Sequence, residues 1–276
     1  MLDANQLIGT HDVLFITLDT LRFDVAVDAL ESGVTPCLQR LLPGRRWEQR
    51  HSPGSFTYAA HAAFFAGFLP TPIGPGPHPR LFAAEFPGSE TTSAETCVFQ
   101  SPDIVSGLAE RGYHTVCIGG VGFFNKRTPL GSVFPSLFEE SHWSPALGVT
   151  DAASSANQVQ LAVSIIARTE RSRRLFLFIN ISALHQPNCM YVPEATEDSC
   201  LTQRAALAYV DSCLPPLFQA LRRRSPCLCI VCSDHGTAYG EDGYHGHRLA
   251  HPVIWNVPYA EFVIPADHLD EELHAN

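Results

Sequence analysis

The run Cys227-Leu228-Cys229-Ile230-Val231-Cys232, followed by Ser233-Asp234-His235-Gly236, decides how this chain folds. Six small or branched apolar residues that stop at a polar turn predict a short buried strand. An aspartate beside a histidine at the carboxyl end of a strand has a specific use. In open α/β sheets the ligand crevice lies just beyond the carboxyl ends of the strands, and a carboxylate oxygen with an imidazole nitrogen is the mixed donor set that zinc or manganese accepts. Two donors do not complete a coordination sphere, so the rest must come from other strand ends. Cys227 and Cys229 alternate onto one strand face and read as buried small hydrophobes, with a thiolate site as the alternative.

Strand ends of the same kind recur along the chain. Asp12 to Leu18 (Asp-Val-Leu-Phe-Ile-Thr-Leu) is a second apolar run, and it stops at Asp19-Thr20-Leu21-Arg22-Phe23-Asp24. Asp19 therefore stands where Asp234 stands; a helix N-cap is its alternative role. Arg22 is placed to pair with Asp24. His114 to Gly119 is a strand after a helix over 102–112, and it delivers Asn125 and Lys126 toward the same crevice. The intervening Gly119 to Gly122 lacks the spacing of a dinucleotide fingerprint and reads as a flexible loop. Leu175 to Ile181 is a further strand, after a helix over 151–169, and His185 falls just past its end; a solvated loop histidine is the alternative. A long helix over 202–224, broken near Pro215-Pro216, ends in Arg222-Arg223-Arg224, a basic trio expected to be solvated and to complement the helix dipole. Val257 to Pro265 supplies the last strand, the stretch 69–80 is a Pro/Gly-rich surface loop, and the acidic tail should fray.

Between Ser52 and Gly67 the sequence carries Thr57-Tyr58-Ala59-Ala60-His61. The apolar residues 59–65 predict a buried helix that starts at or near Thr57 and ends at Gly67. His61 then lies one turn along from Thr57 on the same face. A threonine hydroxyl at a helix amino terminus loses its proton more easily when it also binds a divalent cation, and then attacks phosphorus or sulfur. A plain capping threonine is the alternative. Past Gly236, His245, His247 and His251 form the densest polar cluster of the chain. They are candidates for ligands of a possible second ion or for donors to substrate, with His251 read as exposed.

The 276 residues are 45% hydrophobic and 17% charged, enough for one sizeable core spanning residues 1–276. A formal charge of −10 argues against a nucleic-acid partner. The amino-terminal residues Met1 to Gln6 contain neither a basic nor an apolar leader region, and no apolar run approaches the ~18 residues of a membrane helix. Nine cysteines, an odd number, suit reduced thiols. The expectation is a cytoplasmic protein without membrane insertion. Strand and helix alternation predicts an α/β fold with a mainly parallel central sheet flanked by helices.

Taken together, the Asp19-Thr20-Leu21-Arg22 segment, Thr57 with His61, Asp211, and Ser233-Asp234-His235-Gly236 resemble the sulfatase branch of the alkaline phosphatase superfamily, over about residues 12–264. The resemblance implies an alkaline phosphatase-like fold, one divalent ion on Asp19, Thr57, Asp234 and His235, Thr57 as nucleophile, and His61 and His185 on the substrate. His245 resembles the histidine that follows this motif in phosphoethanolamine and lipoteichoic acid transferases. It is expected, with His247, to serve as acid or base; Lys126 and His247 are further expected substrate donors.

Three departures refine the expectation. Sulfatases of this kind oxidise a Cys or Ser within Cys/Ser-x-Pro-Ser-Arg to formylglycine, whereas Thr57 cannot be that precursor; threonine is the nucleophile of phosphotransferases and phosphodiesterases of the superfamily. Thr20 stands where sulfatases usually carry a second Asp, which favours zinc or manganese over calcium. The chain ends soon after its last strand, so the usual carboxyl-terminal subdomain is expected to be missing, and the chain is similar to a short, cytoplasmic group of bacterial sulfatase-like hydrolases. The expected activity is phosphate mono- or diester hydrolysis or phosphotransfer through phospho-Thr57 on an anionic small-molecule ester. The alternatives are a sulfuric or phosphonic ester hydrolase on the same site, and a metal- or partner-binding module without turnover.

Overall fold

β1 (Asp12–Leu18) organises the molecule because its residues alternate between two apolar environments. Leu14, Ile16 and Leu18 face one core, and Val13 faces the other with Phe15 packed against it. A strand buried on both faces reads as a continuous apolar run, which is why this segment is so evident in the sequence. The computed structural model describes residues 2–67, 82–83, 97–98 and 103–267. The Pro/Gly-rich stretch and the acidic tail lie outside the described residues.

The strands are, in chain order, β1, β2 (Glu48–His51), β3 (Phe82–Ala83), β4 (Cys97–Val98), β5 (His114–Ile118), β6 (Glu140–His142), β7 (Leu175–Ile181), β8 (Cys227–Cys232), β9 (Ala238–Tyr239), β10 (His245–Gly246) and β11 (Asn256–Ile264). The helices are α1 (Ala4–Leu7), α2 (Phe23–Glu31), α3 (Pro36–Leu41), α4 (Thr57–Ala66), α5 (Ile104–Glu110), α6 (Pro129–Ser132), α7 (Ser154–Arg168), α8 (Cys200–Cys213), α9 (Pro215–Arg224) and α10 (Pro252–Trp255). Seven strands form the central sheet in the order β2-β11-β8-β1-β7-β5-β6. β1 runs parallel to both β7 and β8, and β11 alone is reversed, pairing antiparallel with β8 on one side and with the marginal β2 on the other. α2, α3, α7, α8 and α9 cover one face. α4 and α5 cover the other, with a cluster of phenylalanines that includes Phe65, Phe124, Phe134, Phe138 and Phe178.

Register sets up the site. Thr17 pairs with Asn180 of β7 and with Cys232 of β8, so the three strands finish level and their next residues emerge side by side. The glycines after β5 are not a flexible loop, as the sequence alone implies: a Cβ on Gly120 would sit 2.3 Å from Asn180 O and 3.0 Å from Asn180 Oδ1. Gly120 is the residue that lets this turn pass close over β7.

The basic end of α9 also departs from expectation. The Arg224 side chain is 4% exposed and donates from Nε to Asp12 Oδ2 at 2.8 Å, while its other nitrogens meet the carbonyls of Thr169, Glu170 and Arg173. Asp12 Oδ1 accepts the Leu175 N–H at 2.9 Å. This ion pair joins the starts of β1 and β7 to the end of α9, so one member of the trio is structural rather than solvated. Replacing one partner leaves a buried, uncompensated charge, so Arg224→Met is expected to cost about 3 kcal/mol, read as a lowered urea midpoint at unchanged slope.

Candidate metal centre

Asp19 and Asp234 leave the ends of β1 and β8, neighbouring strands, and both are fully buried. Asp234 is held by backbone donors: Oδ1 accepts the N–H groups of Thr20 at 3.1 Å and His235 at 3.0 Å, and its carbonyl accepts from the Ser52 hydroxyl. Asp19 Oδ2 accepts from Asn180 Nδ2 at 3.0 Å. That leaves Asp19 Oδ1 and Asp234 Oδ2 buried without a hydrogen-bond partner. Two such oxygens inside a protein are costly unless something else satisfies them. Asp19 is therefore not the helix cap that its position allowed, since α2 begins four residues later at Phe23.

His235 completes the set. Its Nδ1 is 2.8 Å from the Gly236 carbonyl, which only accepts, so Nδ1 carries the proton and Nε2 presents a lone pair. One donor atom from each of Asp19, Asp234 and His235 lies within 4.8 Å of the others. Two buried anions and a correctly tautomerised imidazole fit a divalent ion. Gly236 is obligatory here, because a Cβ on it would fall 1.8 Å from the Val253 carbonyl oxygen. Thr20 takes left-handed backbone, φ 63°, which is strained for a β-branched residue. Its N–H faces Asp234 and its hydroxyl donates to Leu184 O at 3.0 Å, so its side chain is spent on the fold.

Thr57 opens α4 as its first helical residue; Phe56 holds the N-cap position with no side-chain cap, so the hydroxyl has no capping duty. Thr57 Oγ1 lies 3.3 Å from His235 Nε2 and is 2% exposed. His61 sits one turn along, with its Nδ1 3.6 Å from Asp234 Oδ2. It is fully buried, edge-on to Phe64, Phe124 and Phe178. Its Nδ1 donates to Thr57 O at 2.7 Å, and its Nε2 accepts from Thr17 Oγ1 at 3.0 Å. Thr17 in turn accepts from Asn180 Nδ2 at 3.2 Å, and Asn180 Oδ1 accepts the Val121 N–H at 3.0 Å. A closed chain of hydrogen bonds thus runs from Asp19 through Asn180, Thr17 and His61 to the Thr57 backbone. Burial drives the His61 pKa down to about 3, so the ring stays neutral in this role.

The remaining expected residues divide. His247 lies beside the centre, its ring 4.6 Å from that of His235 and 5.9 Å from that of His185, with a buried Nδ1 that finds no partner. Burial first, and the charges of His235, His185 and Arg248 next, hold it neutral, with a pKa of about 3. His185 is half-buried, and its Nδ1 donates to Gln186 O at 2.6 Å, leaving Nε2 as an acceptor. His245 is exposed in β10, its ring against Gly240, whereas His247 is half-buried beside His235. Strand alternation would put these two histidines on one face, but β10 ends at Gly246, whose left-handed backbone at φ 81° turns the chain between them. Lys126 is exposed and bonds Ser141 of β6, three strand positions from β1. His251 is half-buried and caps α10 while pairing with Asp242. Asn180 and Thr17 were not singled out, because within an apolar strand they look like interior polar residues with no motif around them.

Burial, and then mutual repulsion with Asp234, raises Asp19 from 3.8 to about 6, and burial raises Asp234 from 3.8 to about 7. Stripped of metal, the folded protein binds more protons than the unfolded chain between about pH 4 and pH 7, so its stability is expected to fall as pH rises through that window. Thermal melts of chelator-treated protein across the window check this. Asp234→Asn should raise the metal-free midpoint above pH 7 and erase the gain that added metal gives the wild type. Asn180→Ala should weaken metal affinity roughly 10- to 100-fold, measured by competition with a chromogenic chelator.

Comparison with known proteins agrees with this architecture. The chain is similar in fold to the carboxyl-terminal periplasmic domain of phosphoethanolamine transferase EptC from Campylobacter jejuni, at TM-score 0.61 and 12% identity over 92% of this chain and 80% of that one. The corresponding domain of EcEptC from Escherichia coli, solved in complex with Zn, gives TM-score 0.63 and 10% identity over 92% and 74%. The lipoteichoic acid synthase LtaP from Listeria monocytogenes gives TM-score 0.62 and 12% identity over 95% and 68%. No curated protein matches the sequence significantly. Residues 11–259, which span both carboxylates, Thr57 and His247, match the sulfatase family model. The chain belongs to the sulfatase family and has an alkaline phosphatase-superfamily fold.

Proposed function

We propose that this protein is a metal-dependent hydrolase or phosphotransferase that acts on phosphate esters through a covalent phospho-Thr57. One observation carries the reading: a threonine hydroxyl freed from capping, at the amino terminus of α4, lies 3.3 Å from the lone-pair nitrogen of His235 beside two unpartnered carboxylate oxygens. Asp19, Asp234, His235 and Thr57 would hold the ion. Zinc or manganese suits two carboxylates and an imidazole better than calcium, which takes six to eight oxygens. When bound, such an ion lowers the pKa of a hydroxyl and offsets charge on phosphoryl oxygens.

The residues then divide the work. The Thr57 oxygen forms a bond to phosphorus as the bond to the leaving oxygen breaks, and the threonine proton ends on the departing alcohol. Helix α4 points its amino-terminal N–H groups at this reaction zone, where they favour negative charge. The chain through His61 and Thr17 keeps the Thr57 backbone in register with Asp19. Water next attacks phosphorus, the bond to Thr57 breaks, and the hydroxyl regains a proton. His247, neutral and with a free ring nitrogen, is the candidate proton acceptor for that water, and His185 the donor or acceptor beside it. We place the substrate among small anionic esters rather than nucleic acids, on the charge of −10, and the reaction in the cytoplasm, on the cysteine usage.

Thr57→Ala is expected to keep its fold and to lose turnover of aryl phosphate esters by about 10³-fold or more. Acid quenching of wild-type protein with substrate should trap a phosphorylated peptide containing Thr57, read by mass spectrometry. Full activity in Thr57→Ala would exclude the covalent route.

A further inference from the structure

The two margins of the central sheet differ in what they leave open. At the β6 margin the Gly119 N–H donates to His142 O at 2.9 Å, so His142 faces β5 and the Ser141 main chain faces outward. Lys126 Nζ closes that margin, donating to Ser141 O at 3.1 Å and to Ser141 Oγ at 2.9 Å. A lysine laid across an edge strand blocks further pairing. Glu140 is likewise taken, by His114, His142 and Arg168.

β2 carries no such block. The Ser52 N–H donates to Trp255 O at 2.7 Å, and β11 sets Val257 opposite Arg50 and Tyr259 opposite Glu48. In an antiparallel ladder, successive residues turn their N–H and C=O groups to opposite sides. Glu48, Arg50 and Ser52 therefore bond inward to β11, and Trp47, Gln49 and His51 turn theirs outward. Pro258, opposite Gln49, fits this pattern: its carbonyl accepts the Ser233 N–H on the β8 side, and it has no N–H to offer Gln49. Among the described residues nothing pairs with the outer edge of β2. Glu48, Gln49 and His51 are exposed, and an open trough of about 950 Å³ lies beside the strand. Neither a proline nor a bulge interrupts it.

The charges decide what can pair there. Glu48 and Arg50 share one face of the strand, where Arg50 Nη2 lies 3.0 Å from the Glu48 carboxylate and the guanidinium carbon 5.0 Å over the Tyr259 ring. A second copy of β2 running antiparallel must set outward-facing residues against each other, and the registers that keep most of the strand centre on Glu48, Gln49 or Arg50. The first opposes two glutamates and the last two arginines, and like charges directly opposite are destabilising. The register centred on Gln49 sets each Glu48 opposite the partner's Arg50. In it Gln49 exchanges both main-chain bonds with the partner's Gln49, and Trp47 does the same with the partner's His51. We infer that the outer edge of β2 is a homodimer interface, in which two copies join their sheets antiparallel about a twofold axis at Gln49. The strand is short, so the dimer is weak and depends on concentration.

Sedimentation velocity of the full-length chain, from micromolar to millimolar concentration, should show a reversible equilibrium of monomer and dimer. Gln49→Pro removes an outward N–H and no bond to β11, so its thermal midpoint should stay near wild type while the dimer is lost. Glu48→Arg or Arg50→Glu alone sets like charges across the axis and should weaken the dimer roughly 10-fold. The double swap, Glu48→Arg with Arg50→Glu, should restore it. Glu48→Arg, on the more exposed side chain, keeps this comparison independent of any loss of packing on Tyr259. Cysteine substitution reads the register separately, under mild oxidation and against a wild-type control. Gln49→Cys should link to itself, and Glu48→Cys protein should link to Arg50→Cys protein when the two are mixed, but not to itself. A wild type that stays monomeric at the highest concentration, a dimer indifferent to Gln49→Pro, or a double swap no better than the single ones would overturn the inference.

Discussion

Two carboxylates stand at the level ends of neighbouring parallel strands, both withdrawn from water; burial raises the pKa of each, and the charge of Asp234 raises that of Asp19 further. Nothing in a strand-end turn favours that arrangement by itself. The surrounding structure holds it with backbone N–H groups on Asp234 and with the amide of Asn180 on Asp19, and leaves one oxygen of each without a partner. A cation resolves the repulsion, so metal binding and folding stability are coupled here. The left-handed Thr20 and the side-chain-free Gly236 are what this geometry demands of the two turns.

Beneath the carboxylates lies a second constraint. The chain Asp19, Asn180, Thr17, His61 and Thr57 crosses from β7 through β1 to α4, and every proton along it has one consistent donor and acceptor. Such a fully satisfied polar network in a low-dielectric interior resists small displacements. Phenylalanines from the sheet, α4 and the segment after β5 pack around His61, which keeps water off the network. The nucleophile's position is thus set from inside the core, while the segment from Thr237 to His251 builds the outer wall.

That outer wall is tied down independently. Arg22 grips Glu241 from the β1–α2 turn, and Arg248 hooks onto Ser55. The first contact fastens the base of the histidine segment and the second fastens its end. His247, between them, reaches the neighbourhood of His235 and His185. Arg22 is neutralised by two carboxylates and acts as a brace.

β1, β5, β7, β8 and β11, the broken helix at Pro215, and Asp19, Thr57, Asp234 and His235 were legible in the sequence because apolar runs and abrupt polar turns carry local information, whereas the short polar β2 and β6 at the sheet margins carry no such run. Several roles were not. His61 and Thr57 share a helix face, yet the phenylalanines supplied by distant segments decide that the imidazole serves the core. His245 and His247 are chemically equal in the sequence, and the left-handed Gly246 between them leaves one exposed and the other beside the centre. Arg224 and Arg248 both look like surface cations, but a distant Asp12 buries the first and the lack of any carboxylate partner among the described residues leaves the second exposed. Local patterning therefore determined which residues have the chemistry for a metal centre, whereas the pairing of β1 with β7 and β8 decided which of them meet, because partner identity depends on contacts between segments far apart in the chain.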